Sequence, residues 1–196
     1  MPRHSLRFLA TFGLSLLLIL GTVTAVHAVD LVPYQADGWR YQQVNPGNPV
    51  ENLFMAPGFN DSGWNTGRAA FSSGSNGGCP VDATANTFWL AYTNMLLRRS
   101  FLATATSALV LHIGIDNDLK IWLNGTLLYT TTHEGCAALD EFNVPVPPGF
   151  LVDGVNTIAI QAVDRGGSTF CDIRIESLQP TPVQSSTWAR VKAIYR

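Results

Sequence analysis

Apolar and polar residues alternate along the middle of the chain with a period of two, which is the pattern of half-buried β-strands. The clearest segment is 109–115, where every odd-numbered residue is Leu or Ile, and 119–123 repeats the pattern. Asn124 and Gly125 follow. Because this dipeptide adopts the positive φ angles of a type I′ turn, it predicts a tight hairpin with 126–131 as the returning strand.

Further strand-like segments lie on both sides of this hairpin and are separated by Gly, Pro, Asn and Asp. The predicted strands cover 39–44, 96–102, 141–144, 156–163 and 170–178. No long helical periodicity occurs, and 150–152 is predicted to form one short helical turn. Seven or eight short strands predict an all-β, antiparallel β-sandwich, either a jelly roll or an immunoglobulin-like arrangement, with a closed barrel as the competing architecture.

The first 28 residues interrupt this pattern and predict a signal peptide. Arg3 and Arg7 form a basic start, 8–25 is an apolar stretch rich in Leu, and a small-residue cleavage site ends at Ala28. An uncleaved membrane anchor is the alternative, because about 18 apolar residues are just enough to span a bilayer. Cleavage would leave no transmembrane anchor, and the protein would be secreted, periplasmic or at the cell surface.

The carboxyl-terminal residues also differ from the central pattern. The sandwich module is expected to occupy 29–178, followed by an extended Pro-containing linker over 179–186 and a short tail over 187–196. Trp188 and Val191 begin an apolar three-residue spacing in the tail, beside basic residues, which predicts an amphipathic turn that docks on an export or envelope component. Packing of the tail on the sandwich is the alternative.

Charge and composition narrow the function classes. Loss of the signal peptide would remove two of 12 basic residues, which face 14 acidic ones, and would move the formal charge from −2 to −4. An acidic module without a basic patch does not fit nucleic acid. A charged fraction of 13%, with 17 Gly and 11 Pro, indicates instead a single exported domain rich in strands and loops.

Three cysteines allow one disulfide and one free thiol. The possible pairings differ by less than ~1 kcal/mol in loop-closure entropy, so position in the predicted elements decides. Cys171 alternates with Ile173 and Ile175 on the inward face of the last strand and is expected to be a buried free thiol. Cys79 and Cys136 lie in the two longest Gly-containing loops and are predicted to form the disulfide.

Five short motifs follow one another along the chain and carry a family resemblance. They are FNDSGWNTGRAAF at 59–71, LRRSF at 97–101, IDND at 115–118, WLNG at 122–125 and GVNTIA at 154–159. In this order they resemble galactose-binding-like jelly-roll modules, which are carbohydrate-binding-like modules of exported bacterial proteins. The resemblance covers about residues 38–178 and favours the jelly roll among the sandwich arrangements.

The resemblance implies scaffold roles for most of the matched residues. Three aromatic residues of the first motif are expected to pin their loop to the core: Phe59, Trp64 and Phe71. Arg98 or Arg99 is expected to pair with Asp61 or Asp116. Ligand contacts in such modules come from variable loops at one end of the sandwich, so the resemblance transfers no sugar-binding residue to this chain.

Catalysis and metal binding find little support in the residues. After signal cleavage only His112 and His133 remain as imidazole bases, and no nucleophile elbow such as G-x-S-x-G occurs, so the chain is predicted not to be an enzyme. Asp116 and Asp118 carry the oxygen ligands that Ca²⁺ prefers, but turn capping is the simpler interpretation. No other cofactor is expected.

Three polar loops remain as the candidate binding surface. Loops 72–87, 131–140 and 164–169 are rich in Gly, Ser, Asn and Asp, and the predicted disulfide would tie the first two together. Sugar recognition needs a stacking aromatic ring and planar hydrogen-bonding groups. The candidate ligand-binding residues are Trp89, Tyr92, His133, Glu134, Asp164 and Arg165. Packing of the two aromatic rings in the core is the alternative interpretation.

The predicted function is therefore an exported, non-catalytic module that binds carbohydrate or a cell-surface glycan through loops at one end of the sandwich. A structural or assembly protein of the cell surface, with no small ligand, is the alternative. An accessory piece of a secreted enzyme is a third interpretation.

Overall fold

The structure, a computed structural model, describes residues 26–74, 79, 81 and 84–180. The predicted signal peptide up to residue 25, the linker from residue 181 and the tail over 187–196 lie outside the described residues, so their assignments stay predictions. Within the described ranges, no helix has the length and apolar character needed to cross a bilayer.

Twelve strands and one 3-10 turn form this part of the chain. In chain order they are β1 Val26–Val32, β2 Trp39–Val44, the 3-10 turn Pro49–Asn52, β3 Asn65–Gly67, β4 Phe71–Ser72, β5 Thr87–Phe88, β6 Asn94–Ala103, β7 Leu109–Asp116, β8 Asp118–Leu123, β9 Thr126–Thr132, β10 Phe142–Pro145, β11 Gly154–Val163 and β12 Phe170–Pro180. Asn124 and Gly125 make the predicted β8–β9 hairpin turn, with φ angles of 50° and 83°.

The strands form two six-stranded sheets. Sheet 1 has the order β10-β7-β12-β4-β5, with β1 also paired to β12, and sheet 2 has the order β3-β2-β6-β11-β8-β9. Neighbouring strands are antiparallel except for the short parallel pair β4 and β5. This is the all-β antiparallel sandwich of jelly-roll type that the sequence analysis predicts.

Alternate residues of the long strands fill the space between the sheets. Leu109, Leu111, Ile113 and Ile115, which the sequence pattern places on one face, are at most 2% exposed and belong to the main core. Burial of such a side chain contributes roughly 1.5–3 kcal/mol, so this face provides much of the stability of the sandwich. The predicted alternation in 109–115 is confirmed.

The element boundaries differ from the prediction at several places. The strands β1, β3, β4 and β5 were absent from the prediction, and three of them have only two or three residues, too few to show an alternating pattern. Residues 150–152 form no helical turn. Strand β1 begins at Val26 and strand β12 continues to Pro180, and the two residues are register partners. Both lie in segments that the sequence analysis assigns to the signal peptide and the linker.

A second, smaller apolar cluster lies on the outer face of sheet 2. Phe54 is its centre, fully buried against Leu96 of β6, with Trp64 stacked at 6.2 Å between ring centroids and Trp122 edge-on at 5.5 Å. Phe59 also packs here. The first motif of the family resemblance is therefore pinned to this outer cluster.

The expected scaffold roles of that motif hold only in part. Phe71 is fully buried in the main core, as expected, whereas Phe59 and Trp64 lie outside sheet 2. The expected ion pair is present: Arg98 Nε lies 2.7 Å from Asp61 Oδ2.

Candidate functional site

The candidate site lies at one end of the sandwich, which we call the loop end. It is the end at which β6 and β8 begin and β11 finishes: Asn94 is the register partner of Val163, and Val163 of Asp118. The segments 88–93, 116–118, 133–141 and 164–169 connect strands here. The strand order brings together loops that are distant in the sequence.

Of the three polar loops predicted from the sequence, a disulfide ties the first, 72–87, to the second, 131–140. Cys79 and Cys136 are joined with their Cα atoms 5.2 Å apart, which is the pair that the sequence analysis selects. The third loop is attached to the first by a hydrogen bond of 3.2 Å from Thr169 N to Ser73 Oγ. Cys171 is free and fully buried, and burial raises the pKa of its thiol. The three predicted loops therefore meet at the loop end.

Trp89 does not serve as a stacking platform. Its side chain is fully buried in the main core, and its indole Nε1 donates a hydrogen bond of 3.1 Å to the carbonyl oxygen of Thr93. A ring with no exposed face cannot stack on a sugar in this arrangement. The prediction that Trp89 contacts a ligand is therefore wrong, and the alternative of core packing is correct for this residue.

Tyr92 is the more exposed of two aromatic residues at the surface of the loop end. Its side chain is 69% exposed, and its backbone adopts φ of 61°. Two features fix this residue: Tyr92 N donates a hydrogen bond of 2.5 Å to Asp164 Oδ2, and the ring lies directly against Gly166. A Cβ atom on Gly166 would lie 2.6 Å from Tyr92 Cε1, so only glycine allows this contact. The Cε1, Cζ and Oη atoms of Tyr92 lie against Gly166, and most of the residue is exposed to solvent.

Asp164 is the anchor of this arrangement. The residue is 4% exposed, and its Oδ2 accepts hydrogen bonds from Tyr92 N and from Gly166 N, the latter at 3.1 Å. Its Oδ1 has no hydrogen-bond partner in the described part of the chain. The structure places Asp164 beside Tyr92, where its contacts position the loop, and the ligand contact expected of Asp164 stays a prediction.

Arg165 links three segments of the loop end. Its guanidinium lies 2.5 Å from Glu134 Oε1 and 3.1 Å from Asp118 Oδ1, and it donates a hydrogen bond of 3.2 Å to the carbonyl oxygen of His133. Its backbone N–H donates to Asn117 Oδ1 at 2.9 Å. The hydrogen bond to Glu134 is the main cause that raises the pKa of Arg165 above its usual value.

His133 contributes its backbone to this site, and its imidazole points elsewhere. Nε2 lies 2.7 Å from Glu141 Oε1, and the ring contacts the Phe142 ring edge-on at 6.1 Å. The side chain is 14% exposed. A predicted ligand contact through the imidazole is not what this geometry presents, because Glu141 and Phe142 occupy its surroundings.

The predicted calcium ligands are engaged in other contacts. Asp116 is 7% exposed, and its Oδ1 accepts a hydrogen bond of 2.5 Å from the Asn117 side chain. Asp118 forms the ion pair with Arg165. Among the residues that the structure describes, no group of three or more His, Cys, Asp or Glu side chains comes together as a metal site. Both carboxylates therefore have protein partners in this structure, and calcium binding by them stays a prediction.

Two apolar residues of the site were missed by the sequence analysis. Phe88 and Leu90 are 60% and 54% exposed on either side of the buried Trp89. The Gln43 side chain holds this segment, because its Nε2 donates to the carbonyl oxygen of Phe88 at 2.9 Å and its Oε1 accepts from Leu90 N at 2.8 Å. Residues 88–92 are all apolar, so the sequence shows no period from which the exposure of each side chain could be predicted. Only the structure shows that Phe88, Leu90 and Tyr92 are exposed.

A shallow groove at the loop end is lined in part by Phe88. Its lining combines hydroxyl and amide groups with the aromatic ring, and the lining residues are Ser72, Ser73, Gly74, Ala85, Asn86, Thr87 and Phe88. Hydroxyl and amide groups are the side chains that exchange hydrogen bonds with sugar hydroxyls. The loop end therefore carries two exposed aromatic rings beside polar groups. Phe88 lies at the groove, and Tyr92 lies beside Asp164.

Comparison with known proteins identifies the fold but no family. No family model matches the chain, and no curated protein matches it. A glycosyl hydrolase family 2 member from Bacteroides cellulosilyticus is structurally similar with a TM-score of 0.54 at 14% identity, over 78% of this chain and 21% of that one. A beta-glucuronidase from glycoside hydrolase family 2 gives a TM-score of 0.53 at 12% identity, over 82% and 18%. An uncultured Clostridium sp. beta-glucuronidase gives 0.50 at 11%, over 83% and 31%.

The matched part of each of these proteins is a minor fraction of its length. This chain spans less than a third of any of the three. At such low identity the similarity shows a shared β-sandwich fold, which these glycosidases carry as one part of a larger chain.

Proposed function

We propose that this protein is an exported, non-catalytic module that binds carbohydrate at the loop end. The observation that carries the proposal is the Tyr92 ring, which is 69% exposed yet held against Gly166 and anchored through Asp164. A sugar ring stacks on an aromatic face that is already fixed, because little side-chain entropy is then lost on binding. Arg165, which lies in the chain between the two residues that contact Tyr92, and its partner Glu134 supply planar polar groups.

The structural neighbours and the disulfide support this proposal. Proteins named as glycosyl hydrolases and beta-glucuronidases carry a similar sandwich. The Cys79–Cys136 disulfide favours an oxidising compartment outside the cytosol. The proposal assigns no catalytic role to the loop end, because Asp118 and Glu134 both bind the same guanidinium of Arg165 and so serve to position it.

A glycan array tests the proposal with the full chain. Tyr92→Ala should weaken binding about three- to tenfold or more, because an aromatic contact contributes ~0.5–1.5 kcal/mol beyond buried area. Tyr92→Phe keeps the ring and should restore most of the affinity. Leu102→Ala is the matched control: Leu102 is 70% exposed near the opposite end of β6, so its loss should leave binding unchanged.

Two results would contradict the proposal. Equal loss of binding in Tyr92→Ala and Leu102→Ala would show that the loop end is not the site. Absence of binding to any glycan, together with regular self-association, would favour the structural or assembly role that the sequence analysis keeps as the alternative.

A further inference from the structure

We infer that the loop end selects glycans that carry no acidic groups: it accepts neutral sugars and amino sugars and rejects uronates, sialylated and sulfated glycans. This inference rests on the proposed function and adds the substrate class. It follows from the arrangement of charge around Tyr92 and from the hydrogen-bonding groups that the site presents.

The sequence of the loops is strongly biased in charge. The segments 45–51, 72–93, 116–118, 131–141 and 164–169 contain eight acidic residues, and Arg165 is their one Lys or Arg. An acidic ligand needs cationic donors, and bidentate Arg is the usual partner of a carboxylate or sulfate. In these segments that role could fall to Arg165 alone.

Arg165 is already occupied by carboxylates of the protein. Its Nη1 lies 2.5 Å from Glu134 and its Nη2 lies 3.1 Å from Asp118, while Nη2 also donates to the His133 carbonyl oxygen. With Asp164 next to it, the group has three carboxylates for one guanidinium. Two negative charges are therefore in excess at the position where a ligand would meet Tyr92.

The accessible charged group left for a ligand is a hydrogen-bond acceptor. Asp164 is 4% exposed and its Oδ1 is buried without a hydrogen-bond partner in the described part of the chain, so Asp164 adds negative charge near Tyr92 without offering an accessible acceptor. The Glu134 side chain is 75% exposed and uses Oε1 for the ion pair. Acceptors pair with the hydroxyl groups of a neutral sugar or with the ammonium of an amino sugar, and they repel a carboxylate.

Lys120 does not change this balance. It lies on the same face of β8 as Asp118, two residues or about 7 Å farther from the loop end, and in the described part of the chain it forms no ion pair with these carboxylates. Its position is on a strand and not in a connecting loop. Arg174 of β12 also reaches a loop, where it lies 3.4 Å from Asp140, whereas the group around Arg165 comprises Asp118, Glu134 and Asp164.

The test compares matched probe pairs on the full chain. Each neutral probe, such as a β-1,4-glucan hexamer, is measured beside the same backbone oxidised to the carboxylate at C6, and a glucosamine hexamer is added as the cationic probe. At ~6 Å in water, repulsion by each excess carboxylate weakens binding about threefold, so two give about tenfold. The oxidised probe should bind about tenfold more weakly than its neutral partner, and added salt should narrow the difference.

Glu134→Gln tests the origin of this selectivity. The substitution removes one negative charge and releases a guanidinium N–H of Arg165, so the ratio of acidic to neutral binding should rise by at least about threefold. Asp153→Asn is the matched control at the opposite end, where Asp153 Oδ1 accepts a hydrogen bond of 2.8 Å from Ala105 N. It should leave the ratio unchanged.

The outcomes separate the inference from the proposed function. Binding of the oxidised probe that equals or exceeds that of the neutral probe would overturn the inference and leave carbohydrate binding intact. An unchanged ratio in Glu134→Gln would overturn the assignment of selectivity to this ion pair. Absence of binding by every probe would overturn the proposed function and this inference with it.

Discussion

Arg98→Met should destabilise the protein strongly, because one buried guanidinium holds the loop that covers the outer face of sheet 2. The Arg98 side chain is 4% exposed and pairs with Asp61 at 2.7 Å. It also donates hydrogen bonds to three carbonyl oxygens of that loop, those of Phe54, Ala56 and Pro57. One side chain thus binds the Asp61 carboxylate and three carbonyl oxygens of the loop, of which that of Ala56 also accepts a hydrogen bond from Phe59 N.

The size of the expected loss in the free energy of unfolding follows from the removal of these contacts from a buried site. Removal of one partner from a buried ion pair costs roughly 3–5 kcal/mol. Met retains much of the apolar part of the Arg98 side chain. The loss in the free energy of unfolding therefore measures mainly the contribution of the guanidinium. Since Asp61 is 28% exposed and water can reach it, we expect about 3–4 kcal/mol. Such a loss is a large share of the ~5–15 kcal/mol that stabilises an ordinary domain.

Urea unfolding followed by far-UV circular dichroism and by tryptophan fluorescence measures this loss, because Trp64 and Trp122 lie in the same outer cluster. Arg40→Met is the matched control: Arg40 is the register partner of Arg98 on β2 and is only partly buried. It should cost less than about 1 kcal/mol. A loss of under 1 kcal/mol for Arg98→Met, or equal losses in both variants, would refute the reasoning.

Three further predictions concern other parts of the fold. Phe54→Ala should cost about 3–5 kcal/mol and Trp64→Ala clearly less, because Phe54 is fully buried and Trp64 only partly, and the opposite order in urea unfolding would contradict this. Burial raises the pKa of Asp172 from 3.8 to about 6, so the folded chain holds this proton more tightly than the unfolded chain. The contribution of Asp172 to the free energy of unfolding is therefore complete below about pH 4 and decreases by about 3 kcal/mol as the pH rises through 6. Asp172→Asn should remove this dependence on pH, and parallel stability curves of the two proteins over pH 4 to 7 would contradict the prediction. Mass mapping of a non-reduced digest should link Cys79 to Cys136, and replacement of both by Ser should cost up to ~4 kcal/mol; a peptide linked through Cys171 would contradict the pairing.

The candidate site was predictable in part. Tyr92, Glu134, Asp164 and Arg165 do meet at one end of the sandwich, because polar loops between strands collect at the ends of any such fold. The choice between the two aromatic rings was not predictable. The run 88–92 is apolar at every position, so no period in the sequence distinguishes the buried Trp89 from its exposed neighbours.

The roles of the polar residues also depended on long-range contacts. Arg165 meets Glu134 and Asp118 only because β8 lies between β9 and β11 in sheet 2. Sequence reasoning could place each residue in a loop, but it had no means to assign ion pairs across 31 or 47 positions of chain. For the same reason the ion pair of Asp118 with Arg165 could not be predicted from the sequence.

The sequence by itself determined the strands and the fold class. Alternation with a period of two exposes one face of a strand and buries the other, and several such strands can bury their apolar faces only against a second sheet. The predicted strands at 39–44, 109–115 and 156–163 therefore appear close to their expected bounds. Local turn chemistry decided the Asn124–Gly125 hairpin in the same way.

Only the tertiary structure decided the strand order and everything that depends on it. The outer cluster around Phe54 and the pairing of Arg98 with Asp61 require residues that are 37 or more positions apart to meet. The energy of such contacts comes from burial and from desolvated charge, and neither is encoded in the residues next to them in the chain. The sequence thus specifies which segments become strands, while packing specifies which side chains remain for a ligand.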